Sequence, residues 1–228
     1  MNFRYTNLET CHSATGLVVV IDVIRAFTNA AFAFSRGAKE IYPVRTVEEA
    51  LKFKAEVPNS MAFGEVGGLP PEGFDFGNSP SQTNRLDLNE RILVQCTGAG
   101  TQGIVRSVNA DVMLAASLVV ANATVTHIRN LAPDCVTFVV TGQIGDERGD
   151  EDLACAEYFE ALLRGQRPDL APTIDRVYKS RDALFHLDPN LPQFPASDLD
   201  YCTKIDAFDF VMPVTKENGR PVMRAIKP

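Results

Sequence analysis

The chain has 228 residues, 45% hydrophobic and 22% charged, an ordinary globular mixture with enough apolar surface for a sizeable core. Its formal charge of −7, with Lys and Arg nowhere in a run, argues against nucleic acid as a partner. The longest apolar runs, residues 17–21 and 112–121, fall short of the ~18–20 residues of a membrane span, and the N-terminal residues do not read as a signal peptide, so a cytoplasmic protein without a membrane partner is expected.

Residues 17–21 form a continuous apolar run ending at Asp22, the pattern of a strand buried on both faces that delivers a carboxylate at its C-terminal end. Residues 26–35 are apolar on most faces and are followed by Gly37, which predicts a buried helix with a glycine C-cap. After a short strand at 41–44, Thr46 and Glu49 make a capping box ahead of a helix whose apolar stripe is Val47, Ala50, Leu51 and Ala55. Pro58 and Asn59 end that helix, and a strand at 61–63 runs into residues 64–81, GEVGGLPPEGFDFGNSPS. Despite five Gly and three Pro, this segment carries Glu65, Asp75, Asn78 and Ser79 between Phe74 and Phe76 and their flanks, so it reads as an ordered functional loop anchored by the two Phe. A plain surface excursion pinned by those rings is the alternative.

A strand at 92–96 leaves through CTGAGTQG, residues 96–103. A helix to about residue 108, a strand at 112–115, a helix at 118–131, a strand at 136–140, a glycine-bearing acidic loop at 141–152 and a helix at 153–163 continue the alternation. This order predicts an α/β fold, three-layer αβα, around a mostly parallel or mixed sheet. The pattern of strand, Thr28, helix and GAKEI at 37–41 is echoed by strand, Thr101, helix and NADVM at 109–113, which suggests half-repeats of about 17–90 and 91–165 within a single domain. The C-terminal third is Pro-rich at 189–195 and then reads as a hairpin, added at the sheet edge over about 205–228. Five widely spaced cysteines without a CxxC pair suit reduced thiols that fill the core.

In open α/β sheets, ligands bind beyond the carboxyl ends of the strands. The exits here present Asp22 with Arg25 and Thr28, then Glu65, residues 97–101, Ser117 with Asn122, and residues 141–152. Carboxylates with amide and hydroxyl oxygens, and only the scattered His12, His127 and His186, favour a hard cation such as Mg²⁺ over zinc. Glycine-rich turns with an arginine nearby favour an anion, most simply phosphate. Together they describe metal-assisted phosphoryl chemistry. Plainer roles stand beside these: Asp22 as an N-cap, Glu151 and Asp152 as acids complementing a helix dipole, and Asp146, Glu147 and Asp150 as a solvated loop. There is no P-loop sequence and no GxSxG elbow, and Cys96 lacks the arginine that a phosphatase thiolate loop requires.

The segments IDVIRAFT (21–28), GAKEIYPV (37–44), GEVGGLPPEGFDFGNSP (64–80) and EDLACA (151–156) resemble the 2-phosphosulfolactate phosphatase family, collinearly over about residues 17–215. The resemblance implies a Mg²⁺-dependent acid phosphatase of α/β fold that converts 2-phospho-3-sulfolactate to 3-sulfolactate on a route to coenzyme M. It implies that Asp22, Glu65 and Asp152 hold or orient the metal and, with Arg25, carry the catalysis. It assigns substrate contacts to Thr28, Asn78, Ser79, Gly100, Thr101, Ser117 and Asn122, and it also matches Asp75 and Glu151. Where the family pattern resembles TTNGTR, this chain has TGAGTQ at 97–102, so Ala99 replaces an Asn and Gln102 an Arg. The lost charge-assisted contact is worth about 1.5–3 kcal/mol. A non-catalytic anion-binding homologue, a phosphatase of different substrate preference, and an isomerase or lyase on the same scaffold stay open. The expected partners are a small anionic phosphorylated substrate and, as an assembly, a homodimer.

Overall fold

The computed structural model describes residues 1–142 and 149–228; Asp146 and Glu147 of the expected acidic loop lie outside the described residues. Its strands are β1 (Asn2–Asn7), β2 (Gly16–Ile21), β3 (Glu40–Pro43), β4 (Ser60–Gly64), β5 (Ile92–Cys96), β6 (Ala110–Ala116), β7 (Cys135–Val140), β8 (Met212–Glu217) and β9 (Arg220–Met223). They form one mixed sheet in the order β1-β7-β2-β6-β8-β9-β3-β5-β4. The helices are α1 (Ala26–Ser35), α2 (Val47–Glu56), α3 (Pro80–Thr83), α4 (Gly100–Arg106), α5 (Ala121–Leu131), α6 (Asp150–Leu163), α7 (Leu170–Lys179), α8 (Arg181–Leu187) and α9 (Ser197–Cys202). The α/β class expected from the alternation is therefore the observed one.

The unbroken apolar run of β2 is explained by its two neighbours. Val18 and Val20 face the cluster that contains α1, while Leu17, Val19 and Ile21 face Val125 and Ile128 of α5 and Phe159 of α6. With both faces buried, each such side chain contributes about 1.5–3 kcal/mol, and no position is left for a polar residue. Helix α1 is apolar all round for a related reason. It packs against Val18, Val20, Ala115 and Val139 of one half of the sheet and against Ile41, Phe63 and Leu93 of the other. Helix α2 covers the outer face of the second half through Ala50 and Phe53 on Ala62 and Val94. Its start is the expected cap: the Thr46 hydroxyl accepts from Glu49 N at 3.2 Å, and the Glu49 carboxylate accepts from Arg45 N at 2.8 Å.

The C-terminal hairpin is the main correction. Instead of extending an edge, β8 pairs antiparallel with β6 and β9 with β3, so the hairpin is the seam that joins β1-β7-β2-β6 to β3-β5-β4. Its root is apolar, with Val211, Met212, Val222 and Met223 fully buried, whereas its tip carries exposed Lys216, Glu217 and Arg220 around Asn218 and Gly219. Both turn residues have positive φ, 49° and 81°, as a tight Asn-Gly hairpin requires. The charged tip imitates an edge strand, while the short buried root sets the true position. Strands from residues 17–90 consequently lie on both sides of the seam. Strand β1 and helices α7 to α9 add to the expected elements, and α6 begins at Asp150, three residues before the predicted start. The five cysteines are free thiols, and among the described residues no helix is long and apolar enough to cross a membrane.

Candidate active site

The exits of β2, β5 and β7 converge at the start of α1. Asp22 follows β2, and its Oδ1 accepts from Ala26 N at 2.8 Å, while Gly100 at the start of α4 packs against its carboxylate. A side chain at position 100 is excluded, since a Cβ there would lie 2.7 Å from both Ala26 Cβ and Asp22 Oδ2. Across the cluster, Asp152 in the first turn of α6 accepts from Val23 N at 2.7 Å through Oδ1 and from Gly142 N at 2.8 Å through Oδ2. The Thr141 hydroxyl at the end of β7 stands 3.2 Å from Asp152 Oδ2 and 3.5 Å from Asp22 Oδ2, so the two carboxyls meet at one oxygen. Asp152 is thus more than an acid placed for the dipole of α6; it ties that helix to the loop after β2.

Glu65 closes the next side. Its Oε1 accepts from Gly98 N at 2.7 Å and its Oε2 from Gly68 N at 2.8 Å, which joins the exit of β5 to the loop Glu65 begins. Gly64 permits that approach, because a Cβ there would sit 1.8 Å from the Cys96 carbonyl oxygen and its φ is +134°.

Burial pushes the Asp22 carboxyl up to about 7, with the Glu65 and Asp182 charges adding to it and the Ala26 and Gly100 N–H groups opposing it. Burial likewise raises Glu151 to about 8, reinforced by Asp182 and Asp22, and raises Asp152 well above the carboxylate range, reinforced by Glu151 and Asp22. Asp182, in the first turn of α8, is raised by burial and by Glu65 and lowered by Arg181 and Arg25. Each of these carboxyls feels others of the same sign, an arrangement that favours either retained protons or a cation.

Arg25 is buried, and its Nη1 donates to Asp198 Oδ2 at 2.9 Å. Ser79 does not stand open to a ligand; its hydroxyl donates to Asp198 Oδ1 at 2.8 Å. Asn78 is buried with its Oδ1 accepting from Asn29 Nδ2 at 3.2 Å, and Thr28 donates to Val23 O at 2.8 Å. Thr101 is folded back onto Thr97, accepting from its N at 2.9 Å. The Ser117 hydroxyl is buried with no hydrogen-bond partner among the described residues, one residue beyond Ala116, whose carbonyl accepts from Asp22 N at 3.2 Å. Asn122 is exposed and committed elsewhere, giving hydrogen bonds of 2.6 Å from its N and 2.7 Å from Nδ2 to the Asp206 carboxylate.

Phe74 and Phe76 are anchors, as expected: Phe76 stacks on Phe63 with centroids 4.9 Å apart, and Phe74 packs against the α2 cluster. Asp75 is a staple between Ala62 N at 2.7 Å and Lys54 Nζ at 2.8 Å. Burial raises the Cys96 thiol to about 11, so it is a core residue and no nucleophile. A groove of about 790 Å³ between α2, α4 and the hairpin, lined by Tyr42, Phe53, Met113 and Val214, includes none of these residues.

Among the described residues no three His, Cys, Asp or Glu side chains are gathered to hold an ion, so Asp22, Glu65 and Asp152 do not form a ready trio. The pair Asp22 and Asp152 does fit a hard cation. Mg²⁺ commonly uses one or two carboxylates and completes its shell with water and substrate phosphate.

The family model described as 2-phosphosulpholactate phosphatase matches residues 3–217. The chain belongs to the 2-phosphosulfolactate phosphatase family. Members of this family are phosphoric monoester hydrolases. A probable 2-phosphosulfolactate phosphatase of Bacillus subtilis is 36% identical over 210 residues, covering 91% of each chain. Relatives named in the same way from Carboxydothermus hydrogenoformans and Clostridium acetobutylicum are 31% and 32% identical, covering 91% and 85% of this chain and 90% and 87% of theirs. Membership in the phosphatase family accords with the expected small phosphorylated substrate. Asp198 and Asp182 were not singled out in the sequence, whereas Thr141 opens the exit expected at residues 141–152. Asp198, in PASDLD, has the look of an ordinary first-turn acid, and nothing local distinguishes it.

Proposed function

We propose that this chain is a Mg²⁺-dependent cytoplasmic phosphatase that hydrolyses 2-phospho-3-sulfolactate to 3-sulfolactate and inorganic phosphate. The observation that supports this most is the meeting of Asp22 and Asp152 at the Thr141 hydroxyl, with Glu151 beside them. In this reading Asp22 and Asp152 would hold Mg²⁺, which would supply positive charge to the phosphoryl oxygens and polarise a water. Arg25 offers phosphoryl oxygens the guanidinium N–H groups that Asp198 leaves unused. The water oxygen bonds to phosphorus as the bond from phosphorus to the C2 oxygen breaks, the electron pair leaves on that oxygen, and the proton the water sheds passes to the phosphate released. Glu151, protonated near neutral pH, supplies the proton that oxygen takes up. The test is phosphate release from 2-phospho-3-sulfolactate and a panel of small phosphomonoesters, with Mg²⁺ and with EDTA. Activity that survives both EDTA and Asp22→Asn overturns the reading.

A second reading, altered specificity, is favoured by Gln102. Its amide donates to Arg45 O at 2.9 Å and Thr97 O at 3.2 Å, so a tied neutral group occupies the position where the family pattern resembles Arg. A phosphomonoester with one anionic group fewer is the alternative substrate. The same panel decides it, through a kcat/KM at least tenfold higher for an ester lacking the sulfonate.

A further inference from the structure

Asp198 comes from α9, in the C-terminal third, and none of the sequence motifs includes it. Its side chain is fully buried, yet its carboxylate takes four donors. Arg25 Nη1 reaches Oδ2 at 2.9 Å, and Oδ1 accepts from the Ser79 hydroxyl at 2.8 Å, the Ser81 hydroxyl at 2.6 Å and Ser81 N at 3.1 Å. A carboxylate this deep is tolerable only when paired and saturated, and here it is both. The segment leading to α9 closes round the guanidinium from other sides. Gln193 O accepts from Nη1 at 3.4 Å, and the Phe194 ring lies with its centroid 5.1 Å from Arg25 Cζ. Phe194 is itself fixed by a stack on Phe185 at 5.5 Å and by Gly68, where a Cβ would come 2.1 Å from the ring.

One carboxylate thus ties together the loop after β2, the far end of the residue 64–81 loop and the C-terminal segment. An arginine has several rotatable bonds, and pairing one nitrogen removes that freedom before a ligand arrives while leaving other N–H groups for it. We propose that Asp198 is the positioning residue of this site, holding Arg25 and the Ser79 end of the loop in the single arrangement that receives a phosphoryl group. The inference rests on the phosphatase reading, and its test is therefore a binding measurement as well as an activity.

Inorganic phosphate is titrated into the full chain with Mg²⁺ present by calorimetry, with circular dichroism confirming the fold of each variant. Asp198→Asn is expected to weaken phosphate at least tenfold, and Asp198→Glu, which keeps the charge, to fall between it and the wild type. Arg25→Ala combined with Asp198→Asn is expected to lose less than the product of the two single losses, because Asp198 acts in part through Arg25. Wild-type affinity in Asp198→Asn, or losses that multiply in the double variant, overturns the proposal. If Asp198→Asn does not fold, Ser81→Ala keeps the ion pair and is expected to weaken phosphate at least threefold; an unchanged affinity there overturns the proposal equally. A wild type that binds phosphate but cleaves no phosphomonoester removes the phosphatase reading, while the binding series still decides the role of Asp198. A wild type that binds no phosphate overturns both.

Discussion

Replacing Asp152 by Ala removes a carboxylate that accepts from the buried Val23 N at 2.7 Å and the half-buried Gly142 N at 2.8 Å, at the junction of β2, β7 and α6. Thr141 loses a contact at 3.2 Å but keeps the Ile21 carbonyl at 2.9 Å, so two stranded N–H groups dominate the cost. Each buried donor left unsatisfied costs about 1–3 kcal/mol, which sets a gross loss of about 2–6 kcal/mol. Removing one carboxyl from a group crowded by Asp22 and Glu151 returns part of this, and a net loss of about 2–4 kcal/mol is expected. That is a large share of the roughly 5–15 kcal/mol of a typical domain. Equilibrium urea unfolding in EDTA, which isolates the chain from any bound metal, measures it through a lowered midpoint at unchanged slope. A loss below about 1 kcal/mol would falsify the claim that Asp152 fastens α6 to the loop after β2.

Between pH 6.5 and 8.5 stability in EDTA should fall, the raised carboxyls outweighing His127 and His186, which burial lowers and whose effect runs the other way. The sign follows because Asp22 near 7 and Glu151 near 8 hold protons in the folded chain that the unfolded chain has already lost, so their contribution disappears as pH rises through those values. Urea midpoints that stay level or rise across this window contradict the buried-carboxyl picture, and Mg²⁺ should restore more stability at pH 8.5 than at pH 6.5. Gly64→Ala places a Cβ 1.8 Å from the Cys96 carbonyl oxygen at a φ of +134°, so a loss of about 3 kcal/mol or more is expected; a soluble variant with wild-type melting temperature refutes it. Asn122→Ala, whose amide serves Asp206 and not the carboxyl cluster, should leave kcat/KM within about twofold while lowering stability by about 0.5–1.5 kcal/mol, and a tenfold loss of activity returns Asn122 to the site.

Much of the fold could be read from local pattern. The run at β2, the apolar girth of α1 and the capping box at Thr46 each record a burial state that neighbouring residues share, and such states leave periodic or unbroken apolar signals. Asp22, Glu65 and Asp152 were legible as carboxylates at strand exits for the same reason, since strand ends are visible in sequence. Gly64 was visible only as a glycine, and Gly100 as a glycine matched to a substrate contact. That one avoids the Cys96 carbonyl and the other makes room for Asp22 depends on the approach of separate strands.

What the tertiary structure decided lies mostly in the last third of the chain. The hairpin at residues 212–223 reads as an edge because its tip is charged, yet its buried root joins the two halves of the sheet. Asp198 looks like any first-turn acid, and its meaning comes from Arg25, 173 residues away, and Ser79, 119 residues away. Sequence pattern registers what a residue's own helix or strand demands of it. A lone carboxylate that is saturated by partners from distant loops carries no such repeat, so its role appears only when the chain has closed around it.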